Sequence, residues 1–466
     1  MCTGLIAGKE ASFDKVLLVA RNEDSKNTNW DKCLTFRQHP QYKDDHEKKH
    51  CIKDNKWILS NGLEVEIPKN AFSYHSIPDS PTCSNKKDTI LQRYEFEARG
   101  INKKHVAISA TNSMEDVSER VLMLDPFVKS GIEESIITTL LLPQAETAYH
   151  GVSLLGKYVE QYGASEGNAV LFADINEAWY MEIASGHHWI AVKVPQDSYI
   201  AVANGLRIHD IDLSDTDSVI HSKGLYEFVD HYHLLENPNL SSFNFAQAFG
   251  NLGNPYNTDR VWLIQKILTP SIKQATRLKQ YPLFMKPDRL IKLEDVFEIM
   301  RSNYKNTVLE NHAERCIGVD RTIESHVLTI NKNMPDAFKG MIWQSISSPL
   351  GAPYMPIFTE FTEIPEDYTV ALNSYAPVPA CWAFRSLHAK QNVLNEKDKN
   401  EIAKKWKDSE QNFLENYRAF THKSTYTEED IKLAQRYSNQ ALYSMYQLAL
   451  DMYPRYNVFE KEEEFA

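Results

Sequence analysis

The sequence predicts an α+β fold in which one antiparallel sheet is packed between a second sheet and a layer of helices. Residues 2–8 and 15–21 are nearly continuous apolar runs separated by a short polar stretch, which is the pattern of a β-hairpin. A sheet with one face in water would alternate apolar and polar residues, so both faces of this hairpin are expected to be covered. Later segments with helical spacing supply the covering helices.

A series of short apolar segments predicts the remaining strands. They are residues 94–98, 106–110, 169–175, 178–183, 189–194 and 199–203. The last four segments follow one another through short polar turns. They are therefore expected to form one antiparallel meander.

Three segments have the spacing of amphipathic helices. Apolar residues recur at helical intervals over 148–162 and stop at Gly163, a plausible C-terminal cap. Two long helices are predicted near the C-terminus, and Thr427 with Asp430 forms a capping-box pattern at the start of the second. The apolar stripe of the first consists of Ile402, Trp406, Phe413 and Tyr417, and that of the second of Ile431, Ala434, Ala441, Met445, Leu448 and Met452. These stripes are expected to face the core.

Composition limits the possible partners and compartment. With 466 residues, 42% of them hydrophobic, the chain can bury a large core without disulfides or metal. The net charge of −12 and the lack of a long Lys/Arg cluster argue against nucleic acid or an anionic membrane as partner. The chain has no secretory signal pattern and no apolar run of membrane-spanning length, and its six cysteines are scattered. We expect a cytoplasmic protein with one domain over 2–466, in which 401–466 are C-terminal helices and an acidic tail.

Cys2 is the first candidate for a catalytic residue. Its small side chain suits removal of Met1, after which one residue carries both a free amine and a thiol. Their reference pKa values are roughly 7.7–8.0 and about 8.5, so the residue supplies a base and a nucleophile at neutral pH without a separate histidine. Taken alone, the feature is weak, because a cysteine is usually just a small buried side chain.

The predicted hairpin places a cation beside this thiol. If Gly8 pairs with Lys15, Cys2 lies directly opposite Arg21, with Cβ atoms about 4.5–5.5 Å apart. A guanidinium there would stabilise the thiolate and could hold a substrate carboxylate or carbonyl. Asp24 could accept hydrogen bonds from the α-amine and orient it. A one-residue slip would turn Arg21 to the other face, and the alternative is that Arg21 and Asp24 form an ordinary strand-end ion pair.

Four segments resemble the C69-type cysteine dipeptidases, which belong to the choloylglycine hydrolase and penicillin V acylase group of N-terminal-nucleophile hydrolases. The opening CTGLIAGKEASFDKVLLVARNED is similar almost throughout and carries the Arg-x-x-Asp of the group at Arg21 and Asp24. The stretch GINKKHVAISATNS resembles a segment of the group that ends in Asn, here Asn112. YIAVANG and NTDRVWLIQKIL match the segments that carry Asn204 and Arg260. The resemblance covers roughly residues 2–400, although His105 and Gly205-Leu206 depart from the usual pattern.

The resemblance implies a four-layer αββα sandwich, with two stacked mainly antiparallel sheets covered by helices and additional C-terminal helices. It also implies hydrolysis of a dipeptide by Cys2, whose amine accepts the thiol proton. Asn112 and backbone N–H groups would hold the oxyanion, with Arg21, Asp24, Asn204 and Arg260 in support. Neither a cofactor nor a metal is implied, the partner is a small peptide substrate, and such dipeptidases often form homo-oligomers.

Three alternatives remain open. His46, Glu47 and His50 fit the H-E-x-x-H pattern of a zinc metallopeptidase, but the surrounding stretch has no apolar stripe that would fix a metal-binding helix. An acylase of the bile-salt or penicillin type would need an apolar pocket, whereas a dipeptidase would need acidic and basic groups for the two termini of its substrate. The third is a non-catalytic binding protein of the same fold.

Overall fold

The computed structural model describes residues 2–25, 32–38, 52–53, 56–58, 61–66, 68, 71–78, 97–369 and 379–453. Two large antiparallel sheets dominate this part of the chain. The strands of the six-stranded sheet are, in spatial order, β13 (Tyr199–Val202), β1 (Cys2–Ala7), β2 (Leu17–Asp24), β15 (Thr322–Ile330), β16 (Gly340–Ser345) and β17 (Met355–Phe358). Those of the eight-stranded sheet are β14 (Val219–His221), β12 (Trp189–Lys193), β11 (Ala178–Ile183), β10 (Asn168–Ala173), β9 (Ala107–Ser113), β8 (Glu97–Asn102), β7 (Tyr74–Pro78) and β3 (Thr35–Arg37). A small third sheet contains β4 (Ile52–Lys53), β5 (Lys56–Ile58) and β6 (Glu64–Glu66).

Helices cover the outer faces of both large sheets. The described helices are α1 (Glu119–Leu124), α2 (Glu134–Leu141), α3 (Ala148–Tyr162), α4 (Leu225–His231), α5 (Phe245–Phe249), α6 (Pro255–Leu268), α7 (Leu293–Met300), α8 (Asp336–Lys339), α9 (Glu366–Thr369), α10 (Ala380–Gln391), α11 (Glu396–Thr421) and α12 (Glu428–Met452). Across the interface between the sheets, β2 contacts β9 and β10, and β1 contacts β9 and β11. Helices α2 and α3 pack on the eight-stranded sheet, while α6, α7, α11 and α12 pack on the six-stranded one. The predicted αββα layers are therefore confirmed.

The N-terminal hairpin is buried on both faces, as its apolar runs predict. Every residue of β1 and β2 is buried. The predicted register is wrong by two residues, because Cys2 pairs with Glu23 and Gly4 pairs with Arg21. The strands separate at Ala7 and Leu18, so the connection is longer than the polar stretch alone suggested. Side chains alternate with a period of two, so this shift leaves Arg21 on the same face as Cys2.

The predicted four-strand meander is wrong in its last strand. Strands β10, β11 and β12 are consecutive neighbours in the eight-stranded sheet, but β13 crosses to the other sheet and pairs with β1. At the crossing, the Gly8 N–H donates to Ser198 O at 3.0 Å. The crossing places the residues that follow β13 beside the beginning of the chain.

The predicted helices are confirmed with one correction. Helix α3 ends at Gly163, whose φ of 76° lies in the left-handed region and whose N–H donates to Val159 O at 2.9 Å. The C-terminal stripes form α11 and α12, and Thr427 and Asp430 make the reciprocal bonds of a capping box. Ile431 is 43% exposed, so its expected place in the core is wrong. Within the described ranges, no helix has the length and apolar character needed to span a bilayer.

Helix α3 can approach the sheet closely because Gly156 has no side chain. A Cβ atom at this position would overlap the ring of the buried Trp189 on β12. Replacing an ordinary helical glycine by alanine stabilises a protein by about 1 kcal/mol. Here we expect Gly156→Ala to lower the free energy of unfolding by about 1–3 kcal/mol, because the added methyl group overpacks the interface.

Chemical denaturation of the variant and the parent protein measures this difference. Lys157→Ala, at the next and exposed position of α3, is the control and is expected to change the free energy of unfolding by less than about 0.5 kcal/mol. A stabilised Gly156→Ala protein would contradict the described packing of α3.

Candidate active site

The thiol of Cys2 lies against a guanidinium group between the two sheets. Cys2 opens β1 and is 3% exposed, and Arg21 Nη2 is 3.3 Å from its Sγ atom. The direct partner of Arg21 across the hairpin is Gly4, which has no side chain. The Arg21 side chain therefore has room to reach diagonally along β1 to the thiol. Arg21 therefore contacts Cys2 as predicted, although the two residues are not directly opposite each other across the hairpin.

Arg21 is surrounded by acceptors on the buried face of β2. Its Nη2 also donates to Glu134 Oε1 at 2.9 Å, and Nη1 donates to Ala98 O at 3.4 Å. Burial lowers the pKa of Arg21, but the negative charges of Cys2, Glu134 and other carboxylates more than offset this and leave its pKa above the ordinary value. Arg21 is therefore a permanent cation beside the sulfur atom.

A second buried arginine holds the backbone of the first residues. Arg260 lies on α6, and its Nη1 donates to Cys2 O at 2.6 Å and to Thr3 Oγ1 at 2.8 Å. Its Nη2 donates to Asn204 Oδ1 at 2.8 Å and to Asn257 Oδ1 at 2.9 Å. Burial and the neighbouring charge of Arg315 lower its pKa to about 9. Arg260 thus links the start of the chain to the segment after β13.

Asn204 lies beside Cys2 because of the crossing of β13. Gly4 pairs with Val202, and continuing this antiparallel register by two residues brings Asn204 opposite Cys2. The Asn204 N–H donates to Asn257 Oδ1 at 3.2 Å. Asn257 was not predicted from the sequence, although it lies three residues before Arg260, a spacing that places two residues on one face of a helix.

Asp24 lies at the end of β2, on the face opposite to that of Arg21. Its carboxylate accepts hydrogen bonds from Arg315 Nη2 and Thr322 Oγ1. Burial raises its pKa, and Arg315 and Thr322 act in the opposite direction. Arg21 and Asp24 point to opposite faces of the strand, so the alternative of an ion pair between them is wrong. The predicted contact of Asp24 with the α-amine stays a prediction.

Asn112 lies in the other sheet. Its backbone belongs to β9 and pairs with Ala169 of β10, next to a register shift. The predicted role of its side chain in the oxyanion hole stays a prediction.

Two carboxyl groups near the site were not predicted from the sequence: Glu134, which accepts a hydrogen bond from Arg21, and Glu166, which accepts one from the Glu134 backbone. Glu134 is the first residue of α2, and its N–H donates to Glu166 Oε1 at 2.9 Å. Burial and the charges of Glu134 and Glu133 raise the pKa of Glu166 to about 7. An acidic residue in the first turn of a helix is common, since it complements the helix dipole, and no local pattern connects Glu134 to Arg21.

Behind Arg21, a buried polar network joins the two sheets. His326 pairs with Arg21 across β2 and β15, and its ring nitrogens lie 2.9 Å from Glu324 Oε1 and 3.1 Å from Ser109 Oγ. Ser, His and Glu in this order have the contacts of a hydrolytic triad. All three residues are completely buried, and the network connects β9 to β15 in the core between the sheets.

The zinc alternative has no counterpart in the described part of the chain. Within that part, no group of three or more His, Cys, Asp or Glu side chains is arranged to hold a metal ion. His46, Glu47 and His50 lie outside the described residues.

Comparisons with known proteins give the family of this arrangement. The sequence model of peptidase family C69 matches residues 1–410. A probable dipeptidase of Latilactobacillus sakei is 36% identical over an alignment of 398 residues, and the match covers 83% of this chain and 80% of that protein. A dipeptidase of Bifidobacterium longum is 30% identical over an alignment of 414 residues, and the match covers 80% of this chain and 74% of that protein. The solved structure of a mutant conjugated bile acid hydrolase from Clostridium perfringens aligns with a TM-score of 0.35 at 14% identity, over 77% of this chain and 92% of that one.

The raised pKa of Glu166 predicts a pH-dependent stability difference. Its folded-state pKa of about 7 lies above the ordinary value of 4.5, so the folded state loses stability as the pH rises from 4.5 through 7. Glu166→Gln keeps the Oε1 acceptor and removes the charge. We expect this variant to match the parent protein at pH 4 and to be more stable by up to about 3 kcal/mol at pH 8.

Denaturant unfolding at a series of pH values measures this difference. A difference that is constant with pH would mean that Glu166 ionises normally and would contradict the described environment.

Proposed function

Since the chain belongs to peptidase family C69, we propose that it is a cysteine dipeptidase in which Cys2, exposed by removal of Met1, hydrolyses the peptide bond of a dipeptide. The observation that carries the assignment of the nucleophile is the 3.3 Å contact between Arg21 Nη2 and Cys2 Sγ. An amino-terminal residue whose thiol is paired with a buried, permanent cation is suited to act as a thiolate nucleophile.

The proposed reaction has two steps. In the first, the Cys2 amine accepts the thiol proton, the sulfur attacks the carbonyl carbon, and the peptide C–N bond breaks. The leaving amine takes the proton from the Cys2 ammonium group. In the second, water attacks the acyl thioester, the released product is a carboxylic acid, and the thiol is restored.

The supporting residues have separate proposed roles. Arg21 stabilises the thiolate, Arg260 fixes the Cys2 carbonyl, and Asn204 is held beside Cys2 by its bond to Arg260. Asp24 orients the α-amine from the end of β2. Asn112 donates to the oxyanion, a contribution of about 3–4 kcal/mol per donor in other hydrolases.

The groups around the thiol favour a dipeptide over a lipophilic acyl amide. An acylase would need an apolar substrate site, whereas a dipeptidase would need groups that bind the charged termini of its substrate. Arg21 contacts the sulfur, and Glu134 accepts a hydrogen bond from the same Arg21 nitrogen. A charged environment suits a zwitterionic peptide and disfavours an apolar acyl chain, because covering charged groups with hydrocarbon removes their hydration at a cost in free energy.

The compartment and the assembly are proposals of the same kind. We propose that the protein acts in the cytoplasm on a small peptide and that it is a homo-oligomer. The six scattered cysteines and the acidic net charge support the first statement. Size-exclusion chromatography with light scattering tests the second.

Replacement of the nucleophile tests the proposed function. We expect Cys2→Ala to lower kcat for dipeptide hydrolysis by about 10⁴-fold or more, because no other group can form the acyl intermediate. Steady-state kinetics with a set of unblocked dipeptides measure this loss. Cys316→Ser, which replaces a half-buried thiol elsewhere, is the matched control and is expected to retain activity.

Two further measurements complete this test. Intact mass is expected to show that Met1 is absent from the active protein, and a chelator is expected to leave the activity unchanged. Full activity with Met1 retained would contradict the assignment of Cys2. Loss of activity with the chelator would instead favour the zinc metallopeptidase of His46, Glu47 and His50.

A further inference from the structure

We propose that Glu134 binds the α-ammonium group of the substrate and thereby restricts the enzyme to dipeptides with an unblocked amino terminus. This inference rests on the proposed dipeptidase function and identifies a residue that recognises the substrate.

The distance between Glu134 and the nucleophile fits the size of an amino acid. One atom, Arg21 Nη2, lies 3.3 Å from Cys2 Sγ and 2.9 Å from Glu134 Oε1, so the carboxylate oxygen is no more than 6.2 Å from the sulfur. The ammonium nitrogen of a peptide lies about 2.5 Å from the first carbonyl carbon. The attacking atom approaches that carbon to about 3–3.5 Å, and a charge-assisted hydrogen bond adds about 2.8 Å. A substrate attacked by Cys2 can therefore place its ammonium group on Glu134.

Glu134 differs from its charged neighbours in exposure. Cys2 is 3% exposed and the Arg21 side chain 1%, whereas the Glu134 side chain is 21% exposed. It is thus a charged group that contacts the buried arginine and also reaches solvent.

The charge around Glu134 also favours a cation. Glu133 and Glu166 lie close enough to interact electrostatically with each other, and Glu134 adds to the same negative potential. Burial and the charges of Glu134 and Glu133 raise the pKa of Glu166. The negative potential of these carboxyl groups therefore favours an ammonium group at Glu134 over a neutral group.

A role in positioning Arg21 and a role in binding the substrate ammonium group predict different kinetics for Glu134 variants. A residue that only positions Arg21 changes the rate for every substrate by the same factor. A residue that binds the ammonium group changes the rate only for substrates that carry one. The ratio of kcat/KM for two substrates that differ in this group alone separates the roles.

Alanyl-alanine and propionyl-alanine are such a pair, since the second has hydrogen in place of the ammonium group. For the parent enzyme we expect kcat/KM to favour alanyl-alanine by roughly 10- to 100-fold, as for the loss of one charge-assisted hydrogen bond. For Glu134→Gln the ratio is expected to fall to within about threefold of one, chiefly through a higher KM for alanyl-alanine. Glu133→Gln removes a neighbouring charge and is expected to keep the parent ratio.

Failure of the inference about Glu134 can be distinguished from failure of the proposed dipeptidase function. An unchanged ratio in Glu134→Gln, with both substrates slowed equally, would overturn the inference and leave the Cys2 dipeptidase intact. An equal loss of the ratio in Glu133→Gln would also overturn it, because the effect would then be one of general charge. Absence of Cys2-dependent alanyl-alanine hydrolysis in the parent enzyme would contradict the proposed function itself. If Glu134→Gln does not fold, Glu134→Ala carries the same expected ratio.

Discussion

Strand β1 pairs with β2 on one side and with β13 on the other, so the chain begins in the interior of a sheet. This pairing determines the surroundings of Cys2. It brings Asn204 from one neighbouring strand and Glu23 from the other, and it leaves the thiol facing the second sheet. A terminal residue normally frays, because few contacts order it. Here Arg260 Nη1 donates to the Cys2 carbonyl at 2.6 Å, so the peptide group between Cys2 and Thr3 is held in place.

Burying the start of the chain also buries its charges, and the arrangement of ion pairs follows from that. Arg21 pairs with Glu134, and Asp24 with Arg315. Removing either partner of such a pair leaves an uncompensated charge and typically costs about 3–5 kcal/mol. Arg260 has neutral acceptors instead, and its pKa is correspondingly lowered to about 9. The thiol therefore lies among groups whose positions are fixed before a substrate binds, which is the condition for electrostatic preorganisation.

The sequence predicts the αββα layers and the proximity of Arg21 to the Cys2 thiol, but it does not predict the register in which β1 pairs with β2. The apolar runs of β1 and β2 reveal that both faces are covered, and the period of two preserves the Arg21 contact even though the pairing is shifted. The turn before β13 does not reveal which sheet the strand joins, since a short connection is compatible with either. Glu134 and Arg315 carry no local signal, because their partners lie far away in the chain and only the packed layers bring them together. Asn257 was detectable, because it shares a helix face with Arg260.

The central claim is that Cys2 forms a covalent acyl intermediate, and trapping that intermediate tests it most directly. The active protein is mixed with an excess of an unblocked dipeptide, quenched in acid during turnover, digested and examined by mass spectrometry. We predict an amino-terminal peptide that begins at Cys2 and carries the mass of the amino-terminal residue of the substrate. A turning-over enzyme whose amino-terminal peptide retains Met1, or whose acyl group is attached to another residue, would contradict the account.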